Sequence, residues 1–138
     1  MNILFLCVAN SARSQIAEGL AKAMLGSNHN IQSAGSKPSG VIHPSAILVM
    51  NKIGIDISNQ HSKSVDDLES SFLNNLDYAI TLCAEEVCPI IPAITKELHW
   101  LNIDPDNKKY TSKQLENSFL IARNDINDSI IKFIKSCE

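Results

Sequence analysis

Cys7 and Arg13 bracket the stretch Cys7-Val8-Ala9-Asn10-Ser11-Ala12-Arg13-Ser14, whose residue types suit attack by a thiolate on a tetrahedral oxyanion. Small or polar residues from Val8 to Ala12 let the backbone curl around an anion with its N–H groups turned inward. A helix starting near Ser14 would add the positive end of its dipole. Arg13 has a planar fork suited to gripping two anion oxygens. The same field favours the thiolate of Cys7, the form that attacks, and the Ser14 hydroxyl is placed to donate to the sulfur. Against this stands a bland reading, since a lone cysteine is often a small buried hydrophobe. The spacing alone is a weak signal; the apolar run Ile3-Leu4-Phe5-Leu6 before it and an amphipathic pattern after it strengthen it. A nucleotide P-loop is excluded, because no Gly-x-x-x-x-Gly-Lys-Ser/Thr is present.

Two further thiols, Cys83 and Cys88, follow the apolar segment Tyr78–Leu82 and suggest a redox relay beside the nucleophile. Five residues of rigid helix turn about 140° around the axis, so a Cys83–Cys88 disulfide requires the segment to bend or unwind. Pro89 and Pro92 mark where a helix would not continue. Simple burial of these thiols is one competing reading. A zinc site with a residue such as His99 is another, although only one pair is present and its spacing is wide. Cys137 reads as a bystander near the chain's end. Asp104, in Asp104-Pro105, sits where it can pass a proton to a leaving oxygen. A turn-forming Asp-Pro is the plain alternative, and Asp106 leaves the choice of acid open.

These residues need elements to hold them. The pattern predicts strand 2–6, helix 14–25 ended by Gly26, strand 31–34, and helix 44–53 opened by Pro44 and stopped at Gly54. Ser64 and Asp67 resemble a capping box opening a helix over 65–73. Strands 76–82 and 98–100 follow, then helix 112–135 with Leu115, Phe119, Ala122, Ile126, Ile130 and Phe133 facing the core. Alternating strands and helices predict an α/β fold with a parallel sheet and right-handed crossovers. Such sheets bind ligands beyond the carboxyl ends of their strands. Cys7, Cys83 and Asp104 all fall there, so residues distant in sequence are expected to share one edge.

At 138 residues the chain is expected to form one domain, 1–138, and its 44% hydrophobic content is ordinary for a soluble protein. The net charge of −3 and the lack of a basic stripe give no support to nucleic-acid binding. No apolar run approaches a membrane span of ~20 residues. The N-terminus enters a strand without a charged leader, so a cytoplasmic location is expected, where cysteines are more often catalytic than structural.

Taken together the chain resembles the low-molecular-weight tyrosine phosphatase superfamily, and within it the thioredoxin-coupled arsenate reductases. The resemblance runs nearly end to end. It is carried by Cys7-x5-Arg13-Ser14 with Gln15-Ile16-Ala17-Glu18-Gly19, by Ser33-Ala34-Gly35, and by Ile55-Asp56-Ile57-Ser58. Thr81-Leu82-Cys83 with Cys88-Pro89, and His99-Trp100 ahead of Asp104-Pro105, complete it. It implies a four-stranded parallel sheet flanked by helices, no cofactor or metal, thioredoxin as electron donor, arsenate as substrate and, by default, a monomer. It also implies roles. Cys7 attacks arsenate held by the amides of Val8, Ala9, Asn10, Ser11 and Ala12 and by Arg13. Asn10 shapes the loop, Ser14 supports the thiolate, and Asp104 protonates the departing hydroxide. Cys83 and then Cys88 carry the disulfide away from Cys7. Some members have a longer interval between the two resolving cysteines, so the short one here leaves the reductant less defined. Some also hold a monovalent cation with residues equivalent to Asn10, Glu18 and Ser33; Lys63 is expected to fold toward that cluster and put its ammonium in the cation's place.

Two other functions fit parts of the pattern. A phosphatase working through a phosphocysteine would use the same loop and Asp104. It would not need Cys83 and Cys88, and Asp106-Asn107 supplies no aromatic wall for a phenyl ring. A non-enzymatic thiol sensor or phosphate-binding module would keep the loop but gain nothing from a positioned acid.

Overall fold

Ile3, Leu4, Phe5 and Leu6 are each at most 1% exposed, so their strand is covered on both faces, as a continuous apolar run in a parallel sheet requires. This strand, β1 (Asn2–Cys7), lies at the centre of a sheet ordered β2-β1-β3-β4, with β2 Asn30–Gly35, β3 Tyr78–Cys83 and β4 Lys96–Asn102. All three pairings are parallel. The computed structural model describes residues 1–83 and 96–137.

Helices cover the two faces unequally. Ile3, Phe5, Ile80 and Leu82 point into the larger cluster, shared with α1 (Arg13–Leu25), α2 (Pro44–Asn51) and α4 (Ser112–Ser136). Leu4, Leu6, Ala34 and Ala79 face the other way, onto Leu68, Phe72 and Leu76 around the short α3 (Ser70–Asn74). Alternate side chains on one strand thus feed two cores, the period-two consequence of the pleat. On α4, Phe119, Ala122, Ile126, Ile130 and Phe133 are buried as their spacing predicts, and Leu115 packs at the margin. Trp100 of β4 packs against Phe5 and Phe133, with ring centroids 6.0 and 5.9 Å away. Among the described residues no helix is long and apolar enough to cross a membrane.

One predicted element is corrected. Ser64 and Asp67 do form a reciprocal capping box, but the helix expected over 65–73 is broken. A single 3-10 turn, Val65–Asp67, ends at Leu68, which is extended with φ −81° and ψ 146°, and α3 restarts at Ser70. The break lets Leu68 enter the smaller core, where it is 7% exposed, beside Phe72. Burying that leucine contributes about 1.5–3 kcal/mol, which offsets the loss of helical hydrogen bonds of about 0.5–1.5 kcal/mol each.

The parallel strands bring Cys7, Gly35, Cys83 and Asn102 to the same edge, since each is the last residue of its strand. Between Thr81 and Cys83 the pairing with β4 shifts: Thr81 faces His99, yet Cys83 faces Asn102. The extra residue in β4 is a bulge that re-aims its final turn, a common device at functional edges.

Candidate active site

The loop from Val8 to Ala12 connects β1 directly to α1, and its carbonyls are all engaged. Val8 O accepts from Lys37 N at 2.9 Å, Ala9 O from Ser39 N at 2.9 Å, and Ser11 O from His43 N at 2.9 Å. Asn10 O accepts from Gln15 Nε2 at 3.0 Å and Ala12 O from Ile16 N at 2.9 Å. A trans peptide sets each N–H opposite the preceding carbonyl, and no cis peptide occurs among the described residues. Turning the five carbonyls toward these donors therefore turns the amides of residues 9–13 to the opposite side. That is the polarity an anion requires. α1 adds to it, having no side-chain cap and no acidic residue in its first turn.

Asn10 holds the loop's shape. Its φ of 48° is left-handed, a conformation that asparagine tolerates better than most residues. Its side chain is fully buried and engaged at both ends. Nδ2 donates to Ser14 Oγ at 2.7 Å and Ser33 Oγ at 3.0 Å, while Oδ1 accepts from Gln15 Nε2 at 3.0 Å and Lys63 N at 2.9 Å. Ser14 Oγ in turn lies 2.8 Å from Cys7 Sγ. Cys7 is a free thiol, 2% exposed.

Behind Asn10 the chain of polar contacts continues. Ser33 Oγ donates to Glu18 Oε1 at 2.6 Å, and Lys22 Nζ pairs with Glu18 Oε2 at 2.6 Å. Lys63 Nζ lies 3.9 Å from Glu18 Oε1. The expected convergence of Asn10, Glu18, Ser33 and Lys63 is therefore present. Burial holds the Lys63 ammonium below its ordinary range, more than the nearby Glu18 carboxylate restores it.

Arg13 is 4% exposed, and its Nη1 donates to Asn102 O at 2.9 Å and Leu82 O at 3.3 Å. The guanidinium thus ties the loop after Cys7 to the ends of β3 and β4. Cys83, beside Leu82, is disulfide-bonded, whereas Cys7 and Cys137 are free. Cys88 lies outside the described residues. Asp104 is exposed on the turn after β4, its Oδ1 accepting from Asp106 N at 3.0 Å. His43, absent from the sequence reading, stands 3.4 Å through Nε2 from Asp106 Oδ1. Its place before Pro44 marks a helix start, but histidine is not a usual capping residue, so type and spacing gave little signal.

The family model for low molecular weight phosphotyrosine protein phosphatases matches residues 2–118, taking in the loop, all four strands and the Asp104 turn. The chain belongs to that family. Within it, the chain is 40% identical over 136 residues to the arsenate reductase of Bacillus subtilis, covering 97% of this chain and 95% of that one. A solved arsenate reductase in its phosphate-binding state superposes with a TM-score of 0.80 at 30% identity, covering 99% of this chain and 98% of the other. The thioredoxin-dependent arsenate reductase of Corynebacterium glutamicum gives a TM-score of 0.74 at 30% identity, covering 97% of this chain and 60% of its own. The family fold sets the loop that carries Cys7 and Arg13, and the turn that carries Asp104, each just after a strand of one parallel sheet.

Proposed function

We propose that this chain is a cytoplasmic, monomeric arsenate reductase recycled by thioredoxin. The observation that carries the reading is the loop around Cys7, whose five carbonyls are all taken by other donors, which leaves the opposite, amide side of the loop for an anion beside a buried thiol hydrogen-bonded to Ser14. The Cys7 thiolate attacks arsenic, with the oxyanion held by the amides of the loop and by Arg13. Hydroxide leaves as water with the proton of Asp104. The Cys83 thiolate then attacks Cys7 Sγ. The S–As bonding pair stays on arsenic, arsenate becomes arsenite, and a Cys7–Cys83 disulfide forms. Cys88 attacks Cys83 and frees Cys7, and a dithiol donor such as thioredoxin reduces the Cys83–Cys88 pair. The disulfide at Cys83 beside a free Cys7 supports this order, because it leaves the oxidising equivalent on Cys83 and not on the nucleophile. The named relatives support the substrate and the donor.

The test is arsenate-dependent consumption of NADPH by the purified protein coupled to thioredoxin and its reductase. Sustained consumption that vanishes in Cys83→Ser supports the reductase. No consumption, with hydrolysis of an aryl phosphate that persists in Cys83→Ser, would replace it with the phosphatase reading.

A further inference from the structure

Asp104 and Asp106 share the turn after β4, and His43 distinguishes them. The ring's Nδ1 accepts from Ser45 N at 3.0 Å and so caps α2. A nitrogen that accepts carries no proton, so in the neutral ring the proton sits on Nε2. Nε2 is the atom 3.4 Å from Asp106 Oδ1. The imidazole is 20% exposed and stacks on Phe119 with centroids 4.7 Å apart. Its orientation is thus fixed from three sides, by the cap, the stack and Asp106.

The main chain of the same residue reaches the anion loop, since His43 N donates to Ser11 O at 2.9 Å. On the far side, Asp106 N donates to Asp104 Oδ1 at 3.0 Å. Ser118, the neighbour of Phe119 on α4, donates through Oγ to Pro105 O at 2.9 Å. A continuous run of contacts, Ser11 to His43 to Asp106 to Asp104, therefore links the loop that holds the oxyanion to the carboxyl that protonates it.

We infer that His43 is a positioning residue: through Nε2 it tethers Asp106, and so sets the turn that aims Asp104 at the oxyanion. Asp106 is the tether and Asp104 the acid. This rests on the role given to Asp104 above. Displacing a reacting group by about 1 Å is enough to cost on the order of 100-fold in rate, so a slack turn is costly even with the acid intact.

His43→Asn tests it, because asparagine still caps a helix but is too short to reach Asp106. The rate of arsenite formation in a single turnover of the fully reduced protein, at saturating arsenate, should fall roughly 10- to 100-fold. The arsenate concentration giving half-maximal rate should stay within about twofold, and alkylation of Cys7 by iodoacetamide should be unchanged, because the loop is intact. Asp106→Ala, at a carboxylate 47% exposed, should reproduce the loss even if His43→Asn folds poorly. The double variant should be no slower than either single one, as both cut one tether. Additive losses, or an unchanged rate in both single variants while Asp104→Asn is slow, would overturn the tether alone. An unchanged rate in Asp104→Asn would overturn the acid as well, and a greater loss in Asp106→Asn than in Asp104→Asn would make Asp106 the acid.

Discussion

A β-carbon on Gly35 would lie 2.2 Å from the carbonyl oxygen of Val8 and 3.0 Å from that of Cys7. The end of β2 is thus pressed against the backbone that leaves the nucleophile, with Gly35 N held by Lys63 O at 2.9 Å on its other side. Neither contact is a flexible side chain, so Gly35→Ala must push the loop away from β2. Overpacking of this kind costs about 1–3 kcal/mol. Urea unfolding should show a loss of that size, and single-turnover arsenite formation should fall at least tenfold. A variant with wild-type midpoint and rate would show that the loop is not braced by β2.

Ser14→Ala separates the hydroxyl from the shape of the loop. Asn10 keeps its bonds to Ser33, Gln15 and Lys63, so the backbone should stay in place. What disappears is the oxygen 2.8 Å from Cys7 Sγ. A hydrogen bond to a charged group contributes about 1.5–3 kcal/mol. Alkylation of Cys7 at neutral pH and arsenite formation should therefore both slow by roughly 10- to 100-fold. Equal rates in variant and wild type would remove Ser14 from the chemistry.

Cys7 is 2% exposed and Cys83 6% exposed. A linkage between two such buried residues would be shielded from a protein reductant, so the proposed relay calls for a third thiol to carry the oxidising equivalent outward. Cys88→Ser should then yield one arsenite per chain and accumulate a Cys7–Cys83 linkage, seen by peptide mapping after mass spectrometry. Repeated turnover with thioredoxin in that variant would refute the relay.

Period and punctuation made most of this fold legible: the apolar run of β1, the Gly26 stop and the α4 stripe lie where the pattern puts them, while α2 ends at Asn51, short of the expected stop at Gly54. The place of the Cys7–Arg13 loop between strand and helix was legible because the apolar run before it and the helical pattern after it agree. Leu68 was not, since its conformation is set by a core assembled from β1, β2 and β3 residues far away in sequence. Neither was the anchoring of Arg13 on Asn102 and Leu82, which depends on the β3–β4 register shift. His43 was missed for the same reason: its partners Ser11, Asp106 and Phe119 meet only in three dimensions.

Glu18 is a carboxylate with a side chain only 4% exposed, and such a charge needs a partner. Lys22 serves one oxygen at 2.6 Å, while the other takes Ser33 and has the Lys63 ammonium at 3.9 Å. That oxygen leads through Ser33 and Asn10 to Ser14 and Cys7, so the charge beside it bears on the nucleophile loop. With an ammonium already present, turnover should not respond to replacing sodium by potassium at constant ionic strength. Lys63→Ala should slow turnover several-fold and make it respond to potassium; strong potassium dependence in the wild type would refute the substitution of ammonium for cation. Stability offers a second reading. The folded ammonium titrates below its unfolded value, mainly through burial. Below the folded value the penalty for burying the charge is present in full. Between the two values the unfolded chain holds the extra proton, so the penalty is relieved as pH rises. The difference in unfolding free energy between wild type and Lys63→Met should therefore be flat at neutral pH and turn in favour of wild type as the solution becomes alkaline.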